Sequence, residues 1–123
     1  MSYVAYKLVH FLGIFTMVAA LAATSMHVLR GGTRADNPDR RALGAAHGIA
    51  ACLIVVGGFG MLARLGFMGE GLAGWVYLKL LIWFALAAAM ALPYFGRGYA
   101  RALLVALPLL TVAGGATALL KPF

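Results

Sequence analysis

A handful of polar side chains stand inside long apolar runs of this chain, and they are the residues with chemistry to offer. His10 follows three residues after Lys7 in KLVH (7–10), and apolar residues continue well beyond it. Lys79 sits in the middle of WVYLKLLIWFAL (75–86), flanked at i−4 and i+4 by Trp75 and Trp83. His27, His47 and Arg64 lie nearer the ends of such runs. An imidazole in an apolar setting can ligate haem iron or exchange a hydrogen bond with a quinone. A lysine there, with no acid nearby, can neutralise a haem propionate or a lipid phosphate.

Each residue also has a plainer reading. Lys79 can snorkel past Trp75 to an interface, and Lys7, closer to its helix end, does so more easily. His10 can hydrogen-bond a hydroxyl or a backbone carbonyl on a neighbouring helix. His27 and His47 can sit at an arginine-rich interface where a histidine costs little, or they can form a second ligand pair across facing helices. Met17, Met26 and Met61 are soft atoms but read as packing.

Other chemistries are excluded. No paired carboxylates stand inside the runs, so a carboxylate di-metal site is ruled out, and no acid is placed for a conventional proton relay. There is no nucleophile elbow and no phosphate loop; GGFG (57–60) lies within an apolar helix and reads as a packing device. The single cysteine, Cys52, excludes an internal disulfide and reads as a small buried hydrophobe. The ten Lys and Arg against three acids give a net charge of +7, but they cluster in short joints without interleaved aromatics, so nucleic-acid binding is not expected.

The elements that must position these groups are helices in a membrane. The 123 residues are 64% hydrophobic and 11% charged, with a mean hydropathy of +0.97; soluble domains are nearer half apolar and a quarter charged. Four apolar runs, about 4–29, 43–65, 73–95 and 100–120, each approach the roughly 20 residues a helix needs to cross the hydrocarbon layer. Backbone groups in lipid must be satisfied within the segment, which selects helices. The expected fold is all-α, one integral membrane domain over residues 1–123, with four transmembrane helices in an antiparallel up-down-up-down bundle. In the first joint, RGGTRADNPDRR (30–41), Asn37 reads as the N-cap of the second helix with Pro38 at its first position. Pro93 and Pro108 are candidate kinks in helices three and four.

The charge distribution orients the bundle. Joints one and three carry Arg30, Arg34, Arg40, Arg41, Arg97 and Arg101; the other side carries Lys7, Arg64, Lys79 and Lys121. The positive-inside rule then puts both termini outside, in the inner (cytoplasmic) membrane of a bacterium. Topology turns positions into heights: His10 lies about 9 Å below the outer end of helix one at 1.5 Å per residue, and Lys79 at a similar depth. Arg64 ends near the same surface, with Tyr3, Tyr6, Trp75 and Tyr77 around the group. At 100° per residue His10 shares a face with Tyr3, Tyr6, Gly13, Ile14, Met17, Leu21, Thr24 and Val28.

KLVH (7–10) and WVYLKLLIWFAL (75–86) together resemble the pattern of the HemJ family of protoporphyrinogen oxidases and the SirB family, both small helical membrane proteins. The resemblance implies that His10 is a haem-associated histidine and Lys79 the lysine of helix three. The function expected is a membrane-embedded cofactor-binding protein with b-type haem in a redox or porphyrin-related role. In that reading His10 ligates the iron, Lys79 and Arg64 neutralise the propionates, and His27 with His47 is the alternative ligand pair. The other expectation is a non-catalytic small subunit of a larger membrane complex whose outer cations bind phospholipid or quinone. The expected partners are the lipid bilayer and either other membrane subunits or further copies of the chain.

Overall fold

The computed structural model describes residues 1–123 and is helical throughout, without strands. Four helices follow one another: α1 (Tyr3–Leu29), α2 (Arg40–Arg64), α3 (Gly74–Ala88) and α4 (Arg97–Leu120). A 3-10 turn, Ala89–Phe95, prolongs α3, so the third helical segment spans Gly74–Phe95. All four segments are long and apolar enough to cross a membrane, with mean hydropathies of 1.8 to 2.1.

The local chemistry explains most boundaries. Ser2 caps α1 by accepting the Ala5 N–H at 3.1 Å. Gly31, at φ 93°, turns the chain out of α1. Asp39, not Asn37, stands at the N-cap of α2, and helix starts at Arg40. Asn37 instead folds back on its own loop, accepting the Asp39 N–H at 3.0 Å, and its buried amide donates to the Tyr94 hydroxyl at 3.0 Å. Short asparagine side chains often hold a turn in this way, and here the long-range partner decides the outcome. Pro93, which lacks an N–H, lies in the tightened 3-10 turn; Pro108 sits within an unbroken α4.

Of the face expected of α1, His10, Gly13, Met17, Leu21, Thr24 and Val28 are buried, joined by Ala20 and Ser25, while Tyr3, Tyr6 and Ile14 are half-buried. Thr24 and Ser25 satisfy their hydroxyls on the Ala20 and Leu21 carbonyls. Met17 and Leu21 enter a core with Ala50, Leu86, Ala89, Leu103 and Leu107. Only 21 residues are buried, and His10, Thr24, Ser25, Asn37, His47 and Thr117 are among them, while Phe15, Leu81 and Val112 are about two-thirds exposed or more. Six polar side chains are thus buried beside the apolar core, while many large apolar side chains lie on the outside. Cys52 belongs to that outer surface, since it is exposed on α2 rather than buried.

The closest pair is α1 with α2. Tyr6 lies against Gly60, His10 against Gly57, and Gly13 against Ala50 and Ile54, so numbering rises on one helix as it falls on the other. A Cβ on Gly57 would stand 2.6 Å from the His10 nitrogen and 2.7 Å from the Tyr6 carbonyl oxygen. Only glycine permits backbone approach that close. By contrast α2 and α3 meet sparsely and are joined by two hydrogen bonds: His47 Nε2 to the Leu86 carbonyl at 3.0 Å, and Trp83 Nε1 to the Ala51 carbonyl at 3.1 Å.

Candidate functional site

Where α2 and α3 diverge, a cavity of about 150 Å³ opens between them. His10 enters it from α1, Ile54 and Gly58 from α2, Trp75, Lys79 and Trp83 from α3, and Lys121 from the end of α4. His10 is placed by two neighbours. Gly57 lets its backbone lie flat against α2, and its Nδ1 sits 2.8 Å from the Ile54 carbonyl oxygen. A carbonyl has no proton to give, so in the neutral ring Nδ1 carries the proton and Nε2 the lone pair. Nε2 makes no hydrogen bond in the protein, yet no sealed side-chain nitrogen or oxygen lacks a partner. Nε2 is therefore open to the cavity that His10 lines.

Trp75, Lys79 and Trp83 share one stripe of α3 at i, i+4 and i+8, and all three line the cavity. The Trp83 N–H is spent on Ala51. The half-buried Lys79 has no hydrogen-bond or carboxylate partner; the structure's one ion pair is His27 with Asp36, elsewhere. Lys121, in the left-handed region at φ 46°, donates to the Ala118 carbonyl at 2.9 Å and lies 5.5 Å from the centre of the Trp75 ring. The Trp75 backbone N–H donates to the Phe123 carbonyl at 3.1 Å, tying the chain end to the start of α3 and leaving the indole N–H unused. No carboxylate lines the cavity.

Thus His10 and Lys79 come together as expected, and the other candidates do not join them. Arg64 is exposed in the last turn of α2 and is not part of the lining. Lys121 supplies the second cation. Of the expected aromatic surround, Tyr3 and Trp75 line the cavity, Tyr6 packs on Gly60, and Tyr77 faces outward. His27 and His47 are engaged apart from each other. His47 bonds α3. His27 Nε2 lies 2.8 Å from both the Thr33 carbonyl and the Asp36 carboxylate in the joint between α1 and α2. The Thr33 N–H donates to the same Asp36 oxygen at 2.7 Å. These two bonds, the Thr33 amide first and His27 next, hold the Asp36 carboxyl below its ordinary range.

The donor set suits two ligand classes. A ring nitrogen held by a carbonyl through its far side is the arrangement metal-bound histidines use, and lysines with no carboxylate partner suit haem propionates. Space is more selective. Apolar cavities of about 150 Å³ accept a single six-membered ring such as benzene, whereas pockets for larger ligands run to roughly 300–1,000 Å³. The cavity therefore does not enclose a whole porphyrin, but it does admit one ring. No family model matches the chain, and no curated protein or solved structure matches it.

Proposed function

We propose that this chain is an integral protein of a bacterial inner membrane, an up-down-up-down bundle with both termini outside. It binds the ring headgroup of a quinone-type cofactor between α2 and α3. The membrane reading is supported by four long apolar helices and by the many large apolar side chains on the exterior; the orientation is supported by arginine in joints one and three. The observation that carries the binding reading is the carbonyl-anchored His10, with an open Nε2 facing a ring-sized apolar cavity that also holds the unpartnered Lys79. Ionisable groups held inside a membrane protein mark its functional sites.

Haem b is the second reading, favoured by that same anchored imidazole and by the HemJ- and SirB-like positions of His10 and Lys79. A bound haem would bring one-electron chemistry; His10 would hold it, Lys79 and Lys121 would face its propionates, and α2 and α3 would have to part to admit it. Spectra of protein purified in mild detergent, together with spectra of its organic extract, separate the readings. A quinone redox-difference spectrum lost in His10→Ala and kept in His27→Ala is the expected result, while a Soret band with the same dependence supports haem. If the natural chain carries neither and takes up neither added haem nor added benzoquinone, the cofactor reading falls and the protein is a non-catalytic subunit of a membrane complex.

A further inference from the structure

We infer that the cavity prefers the reduced, hydroxylated form of its ring ligand, a quinol, over the carbonyl form; this rests on the ring-headgroup reading above. His10 is fixed by the bond from its Nδ1 to the Ile54 carbonyl, so Nε2 offers the cavity a lone pair and no proton. A quinol O–H satisfies that lone pair. A quinone oxygen brings only lone pairs of its own and leaves Nε2 facing them. The remaining polar lining does not reverse this preference. Lys79, Lys121 and the Trp75 indole N–H can each donate to an oxygen of either form, because the bond to Ala118 uses only one of the Lys121 protons; the Tyr3 hydroxyl can donate or accept, and the Trp83 indole N–H is spent on Ala51. One neutral hydrogen bond made, against a buried acceptor left unmade, corresponds to about ten-fold in affinity.

The protein carries its own reporter, because its two tryptophans, Trp75 and Trp83, both line the cavity. The full chain in mild detergent, kept anaerobic, is titrated with a short-chain benzoquinol and separately with the matching benzoquinone. Affinities are read from the saturation midpoints of tryptophan fluorescence and checked by calorimetry. The quinol should bind about ten-fold more tightly. In His10→Gln, whose amide can turn either its NH2 or its oxygen to the ligand, the ratio should fall toward one while binding persists. Lys79→Met should weaken both forms alike. Equal or tighter binding of the quinone to the natural chain overturns the inference and leaves the site standing, as does a ratio unchanged in His10→Gln. If neither ring binds the natural chain, the ring-headgroup reading itself is wrong and the preference falls with it.

Discussion

Two adjacent glycines in α2 make a paired test of how His10 is held. A methyl added at Gly57 would stand 2.6 Å from the His10 nitrogen, where contacts begin to be ordinary at 3.4 Å. Backbone cannot swing aside as a side chain can, so α1 must move off α2 by about 0.8 Å at His10 if Gly57→Ala is to be accommodated. The same displacement lengthens the 2.8 Å bond from His10 to Ile54 beyond hydrogen-bonding range. Overpacking of this kind costs about 1–3 kcal/mol, and replacing glycine by alanine inside a helix returns about 0.5–1 kcal/mol. With about 0.5–1.5 kcal/mol more for the broken His10 bond, the net expectation is a loss of about 0.5–4 kcal/mol, together with weaker ring binding. At Gly58 the added methyl would meet the His10 ring at 3.5 Å, an ordinary contact, so Gly58→Ala keeps the helix gain and is neutral or slightly stabilising. Thermal unfolding of both variants in one detergent, followed by circular dichroism, reads the difference. A Gly57→Ala protein as stable as the natural chain, or a Gly58→Ala protein equally destabilised, would refute the close approach on which the site geometry depends.

Three further outcomes are expected. His47→Ala should cost about 1–3 kcal/mol through its lost bond to Leu86 and leave ring binding within two-fold; loss of all bound cofactor would instead revive His47 as a ligand. The Asp36 carboxyl titrates below the ordinary 3.8, so the stabilisation it contributes is complete above that pH and is lost as the pH falls through the lowered value. Exchange of the Thr33 amide, corrected for intrinsic pH dependence, should then accelerate in the natural chain and be fast at every pH in Asp36→Ala; identical pH profiles would contradict this. Cys52, the sole cysteine, is exposed midway along α2. In native membranes it should react with an apolar maleimide and resist a charged one, and it should react with both after denaturation; prompt labelling by the charged reagent in intact membranes would refute membrane burial of α2.

The helical spans were legible because length and hydropathy alone mark them, and His10 and Lys79 could be paired because depth along a helix follows from residue number. Rotation about the axis was harder to read. Gly57, Gly60 and Arg64 share a stripe, and that stripe faces α1 rather than the cavity: Gly57 meets His10 and Gly60 meets Tyr6. One turn later, at the last residue of α2, Arg64 is exposed. Lys121 was readable as a charge at a helix end but not as a cavity residue, because its position depends on the left-handed turn there and on where α4 packs. Asn37 has cap chemistry, yet its partner Tyr94 lies 57 residues away, and local sequence does not encode that.

The bonds that His10, His47, Trp83 and Arg97 make to other segments all end on backbone carbonyls, of Ile54, Leu86, Ala51 and Leu29. A carbonyl has two lone pairs, so it can serve its own helix and a visiting donor together. Every amino acid supplies such an acceptor, whereas few supply the donor. Mutational tolerance should therefore be lopsided across these joints: random substitution at Ile54 or Ala51 is filtered by size alone, while His10 and Trp83 are filtered by chemistry. A drifting lineage of this protein would keep one partner of each bond and freely rewrite the other, leaving pairwise covariation silent about the contacts that hold its helices in place.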